Sequence, residues 1–244
     1  SVVCSHYGVH DGDLNDSQFL TITPAPDYTV TALGNVHPGR DIEALASHPE
    51  SQKLYAASGD DTDKQGYLYT IDEVTGDLLS EVDIGNFTEV DALSFHPDGT
   101  LWGWDQHQGL LTIDTNTGVG TLRVAQKNRE IEDLTWDAAG EVLYAVENNH
   151  IKGPDSEPDQ NGVTLWAYTV KTDQIEAKCS QLLAQSPEIE AMEALPDGRL
   201  MFGFHNQGQL VLGTVDPSTC EVVEIQEIET SGYNDIEGIA AVCE

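Results

Sequence analysis

Asp41-Ile42-Glu43-Ala44-Leu45 decides the fold, because its pattern comes back four times. Glu89-Val90-Asp91-Ala92-Leu93, Glu130-Ile131-Glu132-Asp133-Leu134, Glu188-Ile189-Glu190-Ala191-Met192 and Asp235-Ile236-Glu237-Gly238-Ile239 keep the same order. Each reads acid, β-branched, acid, small or acid, apolar. The second acids stand at residues 43, 91, 132, 190 and 237. A period of roughly 40–50 residues belongs to propellers, solenoids or arrays, and the content of each repeat decides among them.

The copy at Glu89 shows that content. Val90 to Phe95 reads as a strand, and His96-Pro97-Asp98-Gly99 as a turn, with Pro and Gly supplying the special backbone angles. Leu101–Trp104, Leu110–Ile113 and Thr121–Ala125 read as three further strands. Four short antiparallel strands at regular turn spacing make a propeller blade. The same plan fits the other copies, with strands at Leu54–Ala57, Tyr67–Ile71, Leu143–Val146, Thr164–Val170, Leu200–Phe204 and Leu210–Val215. The fifth unit is split. Asp235–Val242 supplies a first strand, and Val2–Tyr7, Phe19–Thr23 and Tyr28–Leu33 supply the other three. The expected fold is therefore all-β: one five-bladed domain over residues 1–244, its ring closed by pairing of the two chain ends. The blades span about 41–88, 89–129, 130–187, 188–234, and 235–244 with 1–40. Closure removes sheet edges that would otherwise invite aggregation.

His96-Pro97-Asp98-Gly99-Thr100-Leu101-Trp102-Gly103, and Leu68-Tyr69-Thr70-Ile71-Asp72 with Thr75-Gly76, resemble secreted β-propeller repeat proteins over nearly the whole chain. That resemblance speaks to fold, since propellers host binding modules, hydrolases and oxidoreductases alike.

The 244 residues, 39% hydrophobic, can bury a sizeable core. The charge is extreme: 43 acids against 10 Lys and Arg, net −33. Such a surface repels nucleic acid and anionic membranes and favours cations, cationic protein surfaces or solubility in salt. No run of eighteen apolar residues spans a membrane. No signal peptide stands at Ser1, as expected of a mature chain whose leader is removed. Four cysteines fit two disulfides and an oxidising, secreted or periplasmic compartment. Cys243 ends the fifth first-strand and Cys4 opens its neighbour, so a Cys4–Cys243 bridge is expected. Cys179 and Cys220 lie near outer strands, and their pairing stays open. No cysteine or histidine pair has zinc-ligand spacing.

In a propeller the first strand of each blade lines the central channel. Alternation along that strand gives both acids of each motif one orientation and sends Ile42, Val90, Ile131, Ile189 and Ile236 between blades. Glu43, Asp91, Glu132, Glu190 and Glu237, one step deeper, are the expected metal ligands. Like charges this close raise one another's pKa unless protons or a cation intervene. Oxygen ligands and a flexible shell favour Ca²⁺. The loops between second and third strands open on the same face and add His10, His107, His150 and His205 as possible rim ligands. His48 and His96, on the opposite face, are expected to be structural. Asp61-x-Asp63-x-Gln65-Gly66 and Glu157-x-Asp159-x-Asn161-Gly162 resemble calcium loops in part, lacking the twelfth-position Glu. Asn86-Phe87-Thr88 and Asn15-Asp16-Ser17 fit the glycosylation pattern.

Two functions follow. One is an extracytoplasmic, cation-stabilised module binding a small molecule, a cation, a glycan or a cationic protein surface at its acidic mouth. The other is a metal-dependent hydrolase of a lactone, phosphate ester or nucleotide, the channel metal polarising substrate and activating water. Ile236-Glu237-Gly238 is loosely similar to the metal-binding Glu-Gly of lactonase-type propellers, with Asn148 and Asn149 as possible further ligands. Those propellers have six blades.

Overall fold

The computed structural model describes residues 1–127, 129–148, 162–183 and 188–244. Three strands open the chain: β1 (Cys4–Gly12), β2 (Asp16–Ile22) and β3 (Val30–Ala32). Blade one follows as β4 (Ile42–Ser47), β5 (Leu54–Ser58), β6 (Tyr67–Ile71) and β7 (Leu78–Asp83). Blade two is β8 (Val90–Phe95), β9 (Leu101–Asp105), β10 (Gly109–Ile113) and β11 (Gly120–Ala125). Blade three is β12 (Ile131–Trp136), β13 (Leu143–Asn148), β14 (Val163–Thr169) and β15 (Gln174–Leu182). Blade four is β16 (Ala191–Ala194), β17 (Leu200–Asn206), β18 (Gln209–Asp216) and β19 (Glu221–Ile228). The last strand, β20 (Ile236–Cys243), pairs with β1 and heads blade five in the order β20-β1-β2-β3. Each first strand packs against the first strands of both neighbouring blades, β4, β8, β12, β16 and β20 in turn, and the ring closes.

The expected strands and the split fifth blade are present, with one difference at the chain start. β1 runs to Gly12 rather than stopping at Tyr7, because it is hydrogen-bonded on both sides, to β2 and to β20. His10 and Asp11 therefore sit on a strand end, not in a loop. His205 lies likewise at the end of β17.

The apolar residues of the motif behave as alternation requires. Ile42, Val90, Ile131, Ile189 and Ile236 are each nearly inaccessible, and each joins an apolar cluster drawn from two adjacent blades. Burial of such a side chain contributes about 1.5–3 kcal/mol, so the blades are held to one another mainly by this apolar packing. His48 and His96 lie in turns opposite the acidic mouth. His96 Nδ1 accepts from Asp98 N–H (3.0 Å) and its ring packs on Trp136, while His48 accepts from Glu50 N–H (3.2 Å) and packs on Phe95.

Both cysteine pairs are bridged. Cys4–Cys243 joins β1 to β20 within the closing blade, and Cys179–Cys220 ties β15 of blade three to the turn before β19 of blade four. The two bridges close very different loops, 239 and 41 residues apart in sequence. Chain entropy alone then assigns about 5.5 kcal/mol to the first and about 4 kcal/mol to the second. Replacing Cys4 and Cys243 by Ser should lower the urea midpoint more than replacing Cys179 and Cys220. An equal or smaller loss would show that the closing bridge does not act by limiting the unfolded chain.

Candidate metal centre

Simple alternation does not hold at the acids. In four blades the second acid is an extra, unpaired residue in its ladder. Ile42 faces Ser58 and Ala44 faces Ala57, which leaves Glu43 as a bulge. Val90 and Ala92 flank Asp91 in the same way, Ile131 and Asp133 flank Glu132, and Ile236 and Gly238 flank Glu237. In blade four, Glu190 N–H donates to Gly203 O (3.0 Å) while Ala191 is itself paired with Gly203. A bulge re-aims the side chain it carries. One backbone device, used five times, therefore sets the direction of Glu43, Asp91, Glu132, Glu190 and Glu237.

These carboxyls are desolvated and feel one another. Burial first, then the charges of Glu237 and Asp91, hold Glu43 well above the usual carboxylate range. Asp91 is raised by burial, against the Gln106 amide that lowers it. Burial, then Glu188 and Glu130, push Glu132 up to about 8. Glu237 also reaches about 8 through burial and Asp235. Glu190 is pushed up to about 10 by burial, then by Glu237 and Asp235. Space here is tight. A Cβ on Gly59 would lie 2.7 Å from Asp41 Oδ2 and 3.0 Å from Glu43 Cγ, so glycine is required for both acids to lie against that turn.

A second column of residues brackets the acids from the side. It follows directly from the strand registers: Gly59, Gln106, Asn148, His205 and Asp11 occupy equivalent places just beyond or at the end of each second strand. In blades two and three this residue is an amide that clamps the next blade. Gln106 Nε2 donates to Asp91 Oδ2 (2.8 Å) and Ile131 O (2.7 Å), and its Oε1 accepts from Ile131 N–H (3.1 Å). Asn148 repeats the grip on Ile189, donating to its O (3.1 Å) and accepting from its N–H (3.0 Å). In blades four and five the same column holds an imidazole and a carboxylate instead.

That exchange accompanies two of the three ligand groups found among the described residues. Glu190, His205 and Asp235 bring one ligand atom each to within 4.8 Å of one another, and so do Asp11, Asp235 and Glu237. Asp235 belongs to both. His205 Nδ1 lies 2.9 Å from Asp235 Oδ1 and 3.2 Å from Glu190 Oε2. A third group, Asp60, Glu89 and His107, sits at the rim between blades one and two, with His107 Nε2 2.8 Å from Glu89 Oε2 and 3.5 Å from Asp60 Oδ2.

The expected site residues are thus distributed unevenly. Glu190 and Glu237 fall in the groups around Asp235. Glu43, hydrogen-bonded to Asp41 and Glu237, lies beside them. Asp91 and Glu132 turn to Gln106 and Asn148. His107 and His205 face carboxylates, whereas His10 Nδ1 accepts from Asp235 N–H (3.1 Å) and serves the backbone. His150, Asn149 and the Glu157–Asn161 stretch lie outside the described residues. Asp105, at the end of β9, is fully buried and caps backbone N–H groups of Glu89, His107 and Gln108. The Asp61–Gly66 loop is closed on itself, Ser58 Oγ donating to Lys64 O (2.6 Å) and Gln65 Nε2 to Asp60 O (2.7 Å). Gln106 was not foreseen as part of the site, nor was the pairing of Asp11 with His205 around Asp235. Their only sequence signal is their shared place after the second strand, which is invisible until the bulges are counted.

The raised pKa values have a definite consequence. In the unfolded chain these carboxyls return to about 4.3. A carboxyl whose folded pKa is raised binds its proton more tightly in the native state. Its stabilising contribution is full below pH ~4.3 and is lost as pH rises through about 8 for Glu132 and Glu237 and about 10 for Glu190. Ordinary surface acids have already ionised by pH 5, so the upper window belongs to the buried acids, these channel groups together with Glu193, pushed up to about 7 by burial, and Asp11, pushed up to about 6 by burial and Asp235. In chelator, the melting temperature should fall steadily from pH 5 to pH 9. A flat or rising profile would contradict desolvation of these acids.

No family model matches the sequence, and no curated protein matches it. Likeness to solved structures is confined to the fold. The crystal structure of a nidogen/laminin complex contains a chain that superposes with a TM-score of 0.63 at 8% identity, covering 97% of this chain and 98% of that one. Hydrazine synthase of Kuenenia stuttgartiensis superposes with a TM-score of 0.50 at 14% identity over 78% of this chain, which spans half of that one.

Proposed function

We propose that the chain is an extracytoplasmic binding module whose acidic mouth is organised by a divalent cation, Ca²⁺ by preference, held around Asp235. The observation that carries this reading is the double membership of Asp235. One residue joins an all-oxygen group with Asp11 and Glu237 to a mixed group with Glu190 and His205. Repulsion among these desolvated acids is relieved either by protons or by a positive ion, and above neutral pH protons become scarce. The all-oxygen group suits the soft geometry of Ca²⁺, with water completing its shell. The imidazole beside it would admit Zn²⁺ or Mn²⁺ as competitors. Two disulfides support an oxidising compartment. Among the described residues no helix is long and apolar enough to cross a membrane.

A cation at the mouth would leave the surrounding carboxylates as a rim for a cationic protein surface, a glycan or a small molecule. The likeness in fold to a chain crystallised in a nidogen/laminin complex supports a protein partner. The hydrolase reading has one point of support, His205 beside Glu190 and Asp235.

Elemental analysis after dialysis, with Ca²⁺ titration at pH 8, tests the proposal. About one tightly held divalent ion per chain is expected. Asp235→Asn should weaken binding by about tenfold or more, ~1.4 kcal/mol, while Asp60→Asn in the separate rim group should change it less than about twofold. Less than one ion per chain, or equal losses from both variants, would overturn the site. Hydrolysis of a lactone, phosphate ester or nucleotide that disappears with chelator would move the assignment to the enzyme.

A further inference from the structure

The first strands carry a second layer of side chains, further along the axis from the acids. Strand register places Ala46, Ser94, Thr135 and Ala240 there in blades one, two, three and five, and Glu193 in blade four. One blade thus holds a carboxyl where the others hold a methyl or a hydroxyl group. Part of its role is shared. Ser94 Oγ accepts from Trp136 N–H (3.0 Å) and Thr135 Oγ1 from Ala194 N–H (2.9 Å), so each joins its blade to the next. Glu193 continues the series, its Oε2 accepting from Ala241 N–H (3.2 Å). Its Oε1 accepts from the Thr135 hydroxyl (2.8 Å) and from Ala194 N–H (3.2 Å). A neutral hydroxyl makes the same clamp at two junctions, so the clamp does not account for an acid.

Glu193 lines a cavity of about 240 Å³ and is partly open to it. The ends of β4, β8, β12, β16 and β20 all contribute to the wall, so the cavity lies on the ring axis, at the channel end opposite the acidic mouth. Burial pushes the Glu193 carboxyl up to about 7, while its three donors pull it down. Among the described residues no Lys or Arg lines the cavity. His48 does, but its Nδ1 accepts from Glu50 N–H (3.2 Å) and Ser51 N–H (3.3 Å). That nitrogen therefore carries no proton, and the ring is uncharged. On the neighbouring β12, Asp133 is another acid, raised by its own burial and further by the charge of Glu193. A sheltered carboxylate without a counter-charge is costly, and a bound cation would relieve it.

We infer that this cavity takes a small primary alkylammonium ion, with its N–H groups on the Glu193 carboxylate and its short chain against the apolar wall. Charge selects a cation, and the net charge of −33 raises the local concentration of any cation. The wall selects an organic one. Ca²⁺ takes about 6–8 oxygens. Beyond Glu193 the side-chain oxygens here are those of Ser47, Ser94 and Gln52, and the Ser47 hydroxyl already donates to Ala241 O (2.7 Å). Ala46, Pro49, Phe95, Trp136 and Val242 make the rest of the wall apolar. The volume lies below the usual range of small-molecule sites, which limits the chain to about three or four carbons. The inference does not rest on a cation at the mouth.

Propylammonium is the probe, followed by the Ala46, Ala241 and Val242 methyl resonances in ¹H–¹³C NMR, with and without Ca²⁺. 1-Propanol is the uncharged control, and tetramethylammonium the charged control without N–H groups. Propylammonium should shift these methyls saturably and bind about tenfold tighter than either control, the margin of a hydrogen bond to a charged group. Glu193→Gln keeps an acceptor for the clamp and removes the charge, so it should bring propylammonium down to the level of 1-propanol. Unmoved methyl resonances, shifts abolished by Ca²⁺, or undiminished binding in Glu193→Gln would each overturn the inference. Should Glu193→Gln fail to fold, the wild-type ranking decides: a control that binds as tightly as propylammonium overturns it.

Discussion

Acidic groups crowded around one axis are the constraint on which the molecule turns. Five first strands meet there, and each delivers a carboxyl through a backbone bulge at its second acid. The strands are brought together by apolar packing between blades, with Ile42, Val90, Ile131, Ile189 and Ile236 buried on the alternate side. The packing that stabilises the ring therefore also confines like charges. Burial and mutual repulsion raise Glu43, Asp91, Glu132, Glu190 and Glu237 together. The fold sets an electrostatic problem in its own centre, and a proton or a cation is its solution.

The blades do not share that problem equally. Gln106 and Asn148 act as neutral clamps, each gripping the first strand of the next blade by its backbone. His205 and Asp11 take their places in blades four and five, and there the acids gather into ligand groups with Asp235 at the centre. A repeat protein makes a specific site by departing from its own repeat. On the opposite face blade five departs again: His6 is buried with neither ring nitrogen hydrogen-bonded, where the registers of blades one to four place Leu54, Leu101, Leu143 and Leu200. Both departures fall on the seam between blades four and five, close to where the chain ends are joined by the Cys4–Cys243 bridge.

Much of the fold was legible in the chain. The recurrence of Asp41-Ile42-Glu43-Ala44-Leu45 set the number of blades, since each copy starts one innermost strand. Turn residues such as His96-Pro97-Asp98-Gly99 marked where strands reverse. The place of Cys4 and Cys243 at paired strand ends identified one disulfide. These features depend on local backbone preference and on period-two burial, which neighbouring residues specify. The candidate site was legible only as a set of acids. Reading Glu43 or Asp91 by strict alternation missed the bulge, because an extra residue in a ladder leaves no mark in hydrophobic period.

Sequence by itself determined the five-fold repeat, the strands within it, the closure by the two termini and the apolar residues that face neighbouring blades. Tertiary structure alone decided which acids meet, that His205 and Asp11 join Asp235 while Asp91 and Glu132 turn to amides, and that His6 is left without a hydrogen-bond partner. The physical reason is one of range. Strand, turn and burial pattern are properties of adjacent residues, whereas these contacts join residues distant in sequence, some within one blade, as Asp11 and Asp235 are, and some between blades, as His205 and Asp235 are. They depend on the bulge register and on the packing of side chains up to 225 residues apart, as His10 and Asp235 are.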